Sequence, residues 1–230
     1  MFTLHLATLA ATASLSMVIG SGGGITAGVE GQAALAAVRT AHLRHPLRFV
    51  ENRGQTAPRV RFHLQGGDRA AFFTPTEVVF RTSRLPADEL TVEAAQAVVR
   101  LRFVGASPDV RVEGRGLLPG VAHFLSGADV ARRSTGVRGY AAISYRDLYP
   151  GIDLTYRSSG GSLKSEFIVD AGADPAQIRL LYSGMRRLRV GADGSLIIDT
   201  GLSRMVESAP YVYQEVAGRR VTVADRKSVV

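Results

Sequence analysis

Hydrophobic and polar residues alternate along much of this chain, which is the pattern of β-strands with one buried face. The strongest alternation surrounds the segment YRDLYPGIDLTY, residues Tyr145–Tyr156. Pro150 and Gly151 suit the central positions of a type II turn, because proline fixes a negative φ and glycine accepts the positive φ that follows. The alternating runs Ile152–Tyr156 and Leu163–Val169 then predict a β-hairpin with a loose glycine-serine tip.

Short alternating runs of the same kind recur about every ten residues, separated by turn-forming residues. Ala192-Asp193-Gly194-Ser195 is one such turn, with the Asp-Gly pair that favours a tight hairpin. We therefore expect an all-β, β-sandwich-like domain of many short antiparallel strands. Asp88–Ala97 has a pattern compatible with an amphipathic helix, and Ser126–Gly139 indicates a long surface connection.

The first 36 residues contain no lysine or arginine, and Glu30 is their only charged residue. Phe2–Ile19 is an apolar run, and Ala34-Leu35-Ala36 is a small-residue site suited to cleavage after export. We predict a signal peptide over residues 1–36, although its usual basic segment is missing. A cut after Gly20 is the alternative. The run is too short and too rich in threonine and serine to predict a stable membrane span.

Residues 225–230, with the sequence DRKSVV, do not continue the strand pattern. We interpret them as a non-native tail from a truncated reading frame. The predicted β-rich domain therefore spans residues 37–224.

The formal charge of +8 comes almost entirely from arginine, since Lys164 and Lys227 are the only lysines. The arginines are scattered along strand-like segments, as at Arg100 and Arg102, whereas nucleic-acid-binding proteins cluster them with aromatic residues. We expect a solvated strand face and no nucleic-acid partner; a polyanion-binding surface is the alternative. The absence of cysteine excludes disulfides, thiolate metal sites and a cysteine nucleophile.

The candidate chemistry lies on the polar face of the central hairpin. If Ile152 pairs with Phe167, Asp153 falls opposite Glu166, and two carboxylates across a ladder repel each other. They could bind a cation such as calcium, or act as an acid/base pair on a glycoside. The favoured interpretation is structural, with an arginine neutralising both carboxylates; the candidates are Arg146, Arg157 and Arg179.

Other signatures of chemistry are missing from the sequence. There is no nucleophile elbow, phosphate-binding loop or zinc-protease motif, so we expect no catalytic residue and no cofactor. His42 and His45 have ligand spacing only on a helix, and we expect no metal site there. The seven tyrosines could line a sugar-binding face, but their alternation with polar residues favours core or strand-edge positions.

Four motifs together carry a family resemblance: FVENRGQ at Phe49–Gln55, YRDLYPGIDLTY at Tyr145–Tyr156, GADPAQIRLLYSG at Gly172–Gly184 and APYVYQE at Ala209–Glu215. Their order and spacing resemble the domain of unknown function at the start of bacterial SBBP-repeat proteins, which are large exported proteins with β-propeller-type repeats. The chain departs from that family's pattern in having no tryptophan and in reading LKSEF at 163–167.

The resemblance implies an extracellular β-rich domain that is followed by repeat modules. We therefore expect a non-enzymatic, secreted or cell-surface module, the N-terminal structural or adhesive domain of a larger bacterial protein. Its expected partners are the downstream repeats and glycans or surface proteins. The alternative is a carbohydrate-active or carbohydrate-binding domain that uses Asp153 and Glu166.

Overall fold

A computed structural model describes residues 2–5, 11–18, 47–66, 69–84, 95–124, 134–159, 162–216, 219–223 and 226–229. These segments form β-strands joined by turns, with one short 3-10 helix at Pro175–Gln177 among them. The strands are Phe2–His5 (β1), Ala11–Val18 (β2), Phe49–Glu51 (β3), Phe62–Gly66 (β4), Arg69–Phe73 (β5), Glu77–Arg84 (β6), Ala95–Phe103 (β7), Arg111–Phe124 (β8), Ser134–Tyr149 (β9), Ile152–Ser159 (β10), Ser162–Val169 (β11), Arg179–Ser183 (β12), Arg187–Val190 (β13), Leu196–Asp199 (β14), Arg204–Glu207 (β15), Tyr211–Val216 (β16), Arg219–Thr222 (β17) and Arg226–Val229 (β18).

Strand β9 is the branch point of one curled antiparallel sheet. Along one side it pairs with β8, and along the other it pairs with β10 near its end and with β3 near its middle. One arm of the sheet continues from β10 through β11 and β2 to β15 and β16. The other arm continues from β3 through β4, β5, β6 and β7 to β12.

The hydrophobic core lies where these two arms face each other. Phe73 of β5 meets Tyr156 of β10 with ring centroids 5.2 Å apart, and Phe103 of β7 meets Tyr145 of β9 at 5.4 Å. Such tilted and edge-to-face contacts add about 1 kcal/mol each to the burial of the rings. Because strand residues alternate between faces, the apolar half of each arm points into this layer and the arginine-rich half points outward.

The all-β, sandwich-like prediction is confirmed, since the described residues contain strands and no α-helix. The hairpin after Val190 is also confirmed, with Gly194 at a φ of 76° between β13 and β14. No helix in the described segments has the length and apolar character needed to cross a membrane.

Two sequence interpretations are wrong in part. Ser126–Gly139 was expected to be a surface connection, but β9 already begins at Ser134. The expected helix Asp88–Ala97 ends in residues that belong to β7, and residues 85–94 and 125–133 lie outside the described part. The Ser126–Gly139 pattern misled because β8 and β9 contain many glycines and two register shifts, which break the alternation.

Strands also occur within residues 1–36 and 225–230, which lie outside the predicted domain. β1 and β2 lie within the predicted signal peptide, and β18 lies within the predicted tail. β1 pairs with both β12 and β18, and β2 lies between β11 and the β15–β16 edge. The predictions of a signal peptide and of a non-native tail stay predictions.

Candidate functional site

The central hairpin is built around a tight turn and an adjacent bulge. Gly151 has a φ of 70°, as the turn prediction requires, and it follows Pro150 between β9 and β10. Tyr149 pairs with Ile152, but the next pair joins Tyr145 to Leu154, so three residues of β9 lie opposite one residue of β10. The single residue opposite this bulge is Asp153.

Asp153 holds the bulge together with both of its carboxylate oxygens. Its Oδ1 accepts a 2.8 Å hydrogen bond from the backbone N–H of Asp147, which has a φ of 53°. Its Oδ2 accepts from the guanidinium of Arg146, and this interaction raises the pKa of Arg146. A left-handed conformation costs a residue other than glycine about 1 kcal/mol. The bonds to Asp153 offset that cost.

The register proposed for Asp153 and Glu166 is wrong by two residues. The ladder pairs Asp153 with Ile168, and Thr155 lies opposite Glu166. Both strands extend through the serines to Ser159 and Ser162, so the tip is shorter than expected. A shift of two residues keeps every side chain on its expected face, since the strand period is two. The two carboxylates therefore share a face but are not opposite each other.

Each of the two carboxylates has its own arginine. Arg146 pairs with Asp153, and Arg157 pairs with Glu166, while Arg179 lies on β12, where its backbone carbonyl accepts a hydrogen bond from Tyr149. Neutralisation by arginine is confirmed, but it comes from two arginines, Arg146 and Arg157, and not from one arginine that serves both carboxylates. The candidate role of Asp153 and Glu166 in ligand binding stays a prediction.

Glu166 is the more deeply placed of the two carboxylates, with 9% of its surface exposed. Its Oε2 accepts from Arg157, and its Oε1 accepts a 2.7 Å hydrogen bond from the hydroxyl of Tyr213 on β16. Burial, and then the bond to Glu166, raises the pKa of Tyr213. Arg220 lies over the Tyr213 ring, 4.4 Å from its centroid. These residues form a charged cluster on the outer face of the sheet.

A second buried carboxylate, Glu207, was missed by the sequence analysis. It is 3% exposed on β15 and accepts a hydrogen bond from the hydroxyl of Tyr182. Burial, and next the charge of Glu207, raises the pKa of Tyr182 well above its ordinary value. A cavity of about 10 Å³ between the arms is lined by Glu207, Tyr156 and Ser165, among others. Its size suits about one water molecule.

The motif FVENRGQ forms a loop that is held by amide side chains. Asn52 donates from its Nδ2 to the carbonyls of Ala57 and Val60, each at 2.9 Å, and accepts at its Oδ1 from the N–H groups of Gly54 and Thr56 at 3.1 Å. The loop at residues 52–60, called here the Asn52 loop, therefore folds around one side chain. An open groove of about 750 Å³ beside it is lined by Glu51, Arg53, Gln55, Arg61, Phe62 and Val112, among others.

His63 joins the Asn52 loop to the core. The ring is fully buried, and burial lowers its pKa from 6.5 to about 4. Gln55 donates to the carbonyl of Glu51 at 2.6 Å, and its Nε2 lies 3.3 Å from the Nε2 of His63. A donating Gln55 assigns the ring proton to Nδ1, which has no hydrogen-bond partner in the described structure.

The tyrosines lie mainly in the core, as the alternation favours. Five of the seven are buried: Tyr145, Tyr149, Tyr156, Tyr182 and Tyr213. The exception with the largest exposed surface is Tyr211, which is 47% exposed and stacks on Tyr213 at 5.6 Å between centroids. Within the described segments, no group of three or more His, Asp or Glu side chains could hold a metal ion.

The motif Gly172–Gly184 also has a structural explanation. The Oδ1 of Asp174 accepts from the N–H of Ala176 at 2.9 Å and so caps the 3-10 helix, with Pro175 at its start. Gly184 has a φ of 84°, and a Cβ there would lie 2.2 Å from the carbonyl oxygen of Val98. Only glycine allows β7 to come this close at that point.

Comparison with curated proteins and with solved structures finds no match to this chain. Comparison with protein families finds one, a domain of unknown function, DUF7948, which matches residues 49–226. The match includes the Asn52 loop, the central hairpin and both buried carboxylates, and it omits β1 and β2. The chain therefore belongs to the DUF7948 family.

Proposed function

We propose that this chain is an exported, non-enzymatic β-rich module with a structural or adhesive role. In this proposal it is the N-terminal domain of a larger secreted or cell-surface bacterial protein, followed by SBBP-type repeats. The motif resemblance and the apolar run Phe2–Ile19 support export and the position ahead of repeats.

The use of the motif residues supports a structural role. Asn52 holds a loop, Asp153 holds a bulge, Asp174 caps a helix and Glu166 joins β11 to β16. A catalytic acid or base needs an environment that leaves it free to exchange a proton with a substrate. Here the polar groups of these side chains are bonded within the fold itself.

The first test follows the chain through a Gram-negative host. The full chain carries a C-terminal tag, and a matched variant carries Leu9→Arg, which places a charge inside the apolar run. We expect the unmodified chain in the periplasm, envelope or medium, with a new N-terminus after Ala36 or Gly20, and the variant in the cytoplasm. Retention of the unmodified chain in the cytoplasm with residues 1–36 attached would overturn the proposal.

The enzyme alternative predicts turnover of a glycan. Purified chain, Asp153→Asn and Glu166→Gln are screened in parallel against a panel of polysaccharides. We expect no hydrolysis from any of the three proteins. Hydrolysis by the unmodified chain that both variants lose would replace our proposal with a glycoside hydrolase.

The carbohydrate-binding alternative is favoured by one observation, the exposed ring of Tyr211 beside Tyr213 and Arg220. Exposed aromatic rings bind the apolar faces of sugars. Glycan-array binding that Tyr211→Ala abolishes and Tyr211→Phe keeps would assign adhesion to this surface. Equal binding by both variants would remove it.

A further inference from the structure

The sheet contains a position that is one strand wide and bordered by two independent edges. On one side, β11 pairs with β2 over seven residues, from Leu163 opposite Met17 to Val169 opposite Ala11. On the other side, β15 pairs through Val206 and Glu207, and β16 through Tyr211, Val212 and Tyr213. Neighbouring strands lie about 4.8 Å apart, so these edges are separated by roughly 10 Å.

The two edges are held at this separation by more than β2. The hydrogen bond from Tyr213 to Glu166 joins β16 to β11 across the intervening strand on the outer face. Arg157 pairs with Glu166, and Arg220 lies over the Tyr213 ring. The two edges also continue into strands of their own, β10 beside β11 and β14 beside β15.

The register shows which residues of the two edges each residue of β2 pairs with. In the ladder, Ser14 is the register partner of both Glu166 and Tyr211. Ala13 is the register partner of the buried residues Phe167 and Val212. The sequence of the strand, ATASLSMV, is uncharged and alternates between hydroxyl-bearing and apolar residues from Thr12 to Met17.

We propose that the position between β11 and the β15–β16 edge is a strand-acceptor site for an extended, uncharged peptide. Ala11–Val18 occupies it in the intact chain, antiparallel to both edges. Once residues 1–36 are removed, a partner polypeptide donates a strand with the same alternation. This last step rests on the proposed export, whereas the acceptor site does not. Main-chain hydrogen bonds supply the affinity, and the alternating sequence of the strand supplies the specificity.

In the test, the full chain is folded first and is cut between β2 and the rest of the chain only afterwards. A site-specific protease sequence replaces Gly20–Gly24 in the full chain, which is folded, cut and passed over a size-exclusion column. We expect the N-terminal fragment to elute with the rest of the chain. A labelled peptide with the sequence ATASLSMV, added in excess, should then displace the fragment.

Two control peptides define the specificity. Ser14→Pro removes one ladder N–H, and Leu15→Asp places a charge at the position that pairs with Ser165 of β11. We expect each to bind at least tenfold more weakly than ATASLSMV. Equal displacement by all three peptides would overturn the proposal, as would release of the fragment with no change in the near-ultraviolet circular dichroism of the remainder.

Hydrogen exchange on the uncut chain gives an answer that does not depend on the solubility of the pieces. Ser14→Pro should lower the protection of β11 and β16 amides at least tenfold and leave β4–β6 unchanged. Ala27→Pro, outside β2, is the control. Unchanged protection in Ser14→Pro would overturn the proposal. If peptide exchange succeeds but residues 1–36 stay attached in cells, the site stands and the proposed export fails.

Discussion

The Asn52 loop and the bulge of β9 opposite Asp153, called here the Asp153 bulge, are stabilised by different chemistry. Both hold a stretch of backbone that leaves the regular ladder, and both do so with one side chain that bonds to the backbone. Asn52 is neutral, and its amide both donates and accepts. Asp153 is a carboxylate that accepts at both oxygens, and one of its partners is a guanidinium. The stabilisation by Asn52 should be insensitive to salt, whereas the stabilisation by Asp153 should weaken as the salt concentration rises.

The largest expected effect sharpens this comparison through pH. The pKa of His63, about 4 against an ordinary 6.5, means that the folded state binds the proton more weakly than the unfolded chain. The contribution of the neutral His63 ring to the free energy of unfolding is therefore fully present above pH 6.5, and it is lost as the pH drops toward 4. The loss below that range is about 3 kcal/mol. Urea midpoints of His63→Phe should lose this slope, and His123→Gln, at an exposed histidine, should keep it.

The second-largest effect is expected when Asn52 is replaced. Asn52→Ala deletes hydrogen bonds to Gly54, Thr56, Ala57 and Val60, so we expect the free energy of unfolding to fall by about 2.5 kcal/mol. Asn52→Asp keeps the acceptor but sets a carboxylate oxygen against the carbonyls of Ala57 and Val60, so its loss should be at least as large. Chemical denaturation measures both. A loss for Asn52→Ala that varies with sodium chloride would contradict the neutral interpretation.

The two glycines of these segments offer a matched pair. Gly151 has a φ of 70°, and a Cβ there would lie 2.8 Å from the Cβ of Ala173. Gly54 has a φ of 106°, with nothing within 4 Å of its added Cβ. We expect Gly151→Ala to cost about 2 kcal/mol and Gly54→Ala about 1 kcal/mol. Thermal denaturation compares them, and equal shifts would show that packing against Ala173 contributes nothing.

The smallest effect is expected at the Asp153 bulge. Asp153→Asn keeps an oxygen for the N–H of Asp147 and loses the ion pair with Arg146, whose side chain is 41% exposed. A half-exposed pair contributes about 1 kcal/mol or less. Denaturation at 0.05 M and 1 M salt should show the difference from the unmodified chain shrinking as salt rises. A constant difference would mean that the bond to Asp147 carries the effect.

The sequence predicted the central hairpin well because its signals are local. Proline, glycine and strict alternation place the Pro150–Gly151 turn and the face of each residue from Ile152 to Tyr156. The register of β10 against β11 could not be obtained in the same way. It depends on how far the strands extend into the serines, and both solutions bury the same side chains.

Other features carried no usable signal. Glu207 lies in an ordinary alternation, RMVE, and its hydrogen-bond partner Tyr182 is 25 residues away in the chain. The start of β9 is hidden because glycines and bulges disturb the period. The structural role of Asn52 depends on carbonyls that converge only after the loop has folded. A contact between residues far apart in the chain decides the first, and an irregular backbone decides the other two, whereas periodicity reports only regular local structure.

Strand β9 has a consequence for the cooperativity of the whole domain. It borders β8 along one side and both arms of the sheet along the other, so neither arm has a complete set of strand partners without it. Loss of β9 would expose an edge of each arm at once. Unfolding of β9 is therefore coupled to both arms, whereas local opening at the far end of one arm, as at β2, does not reach the other.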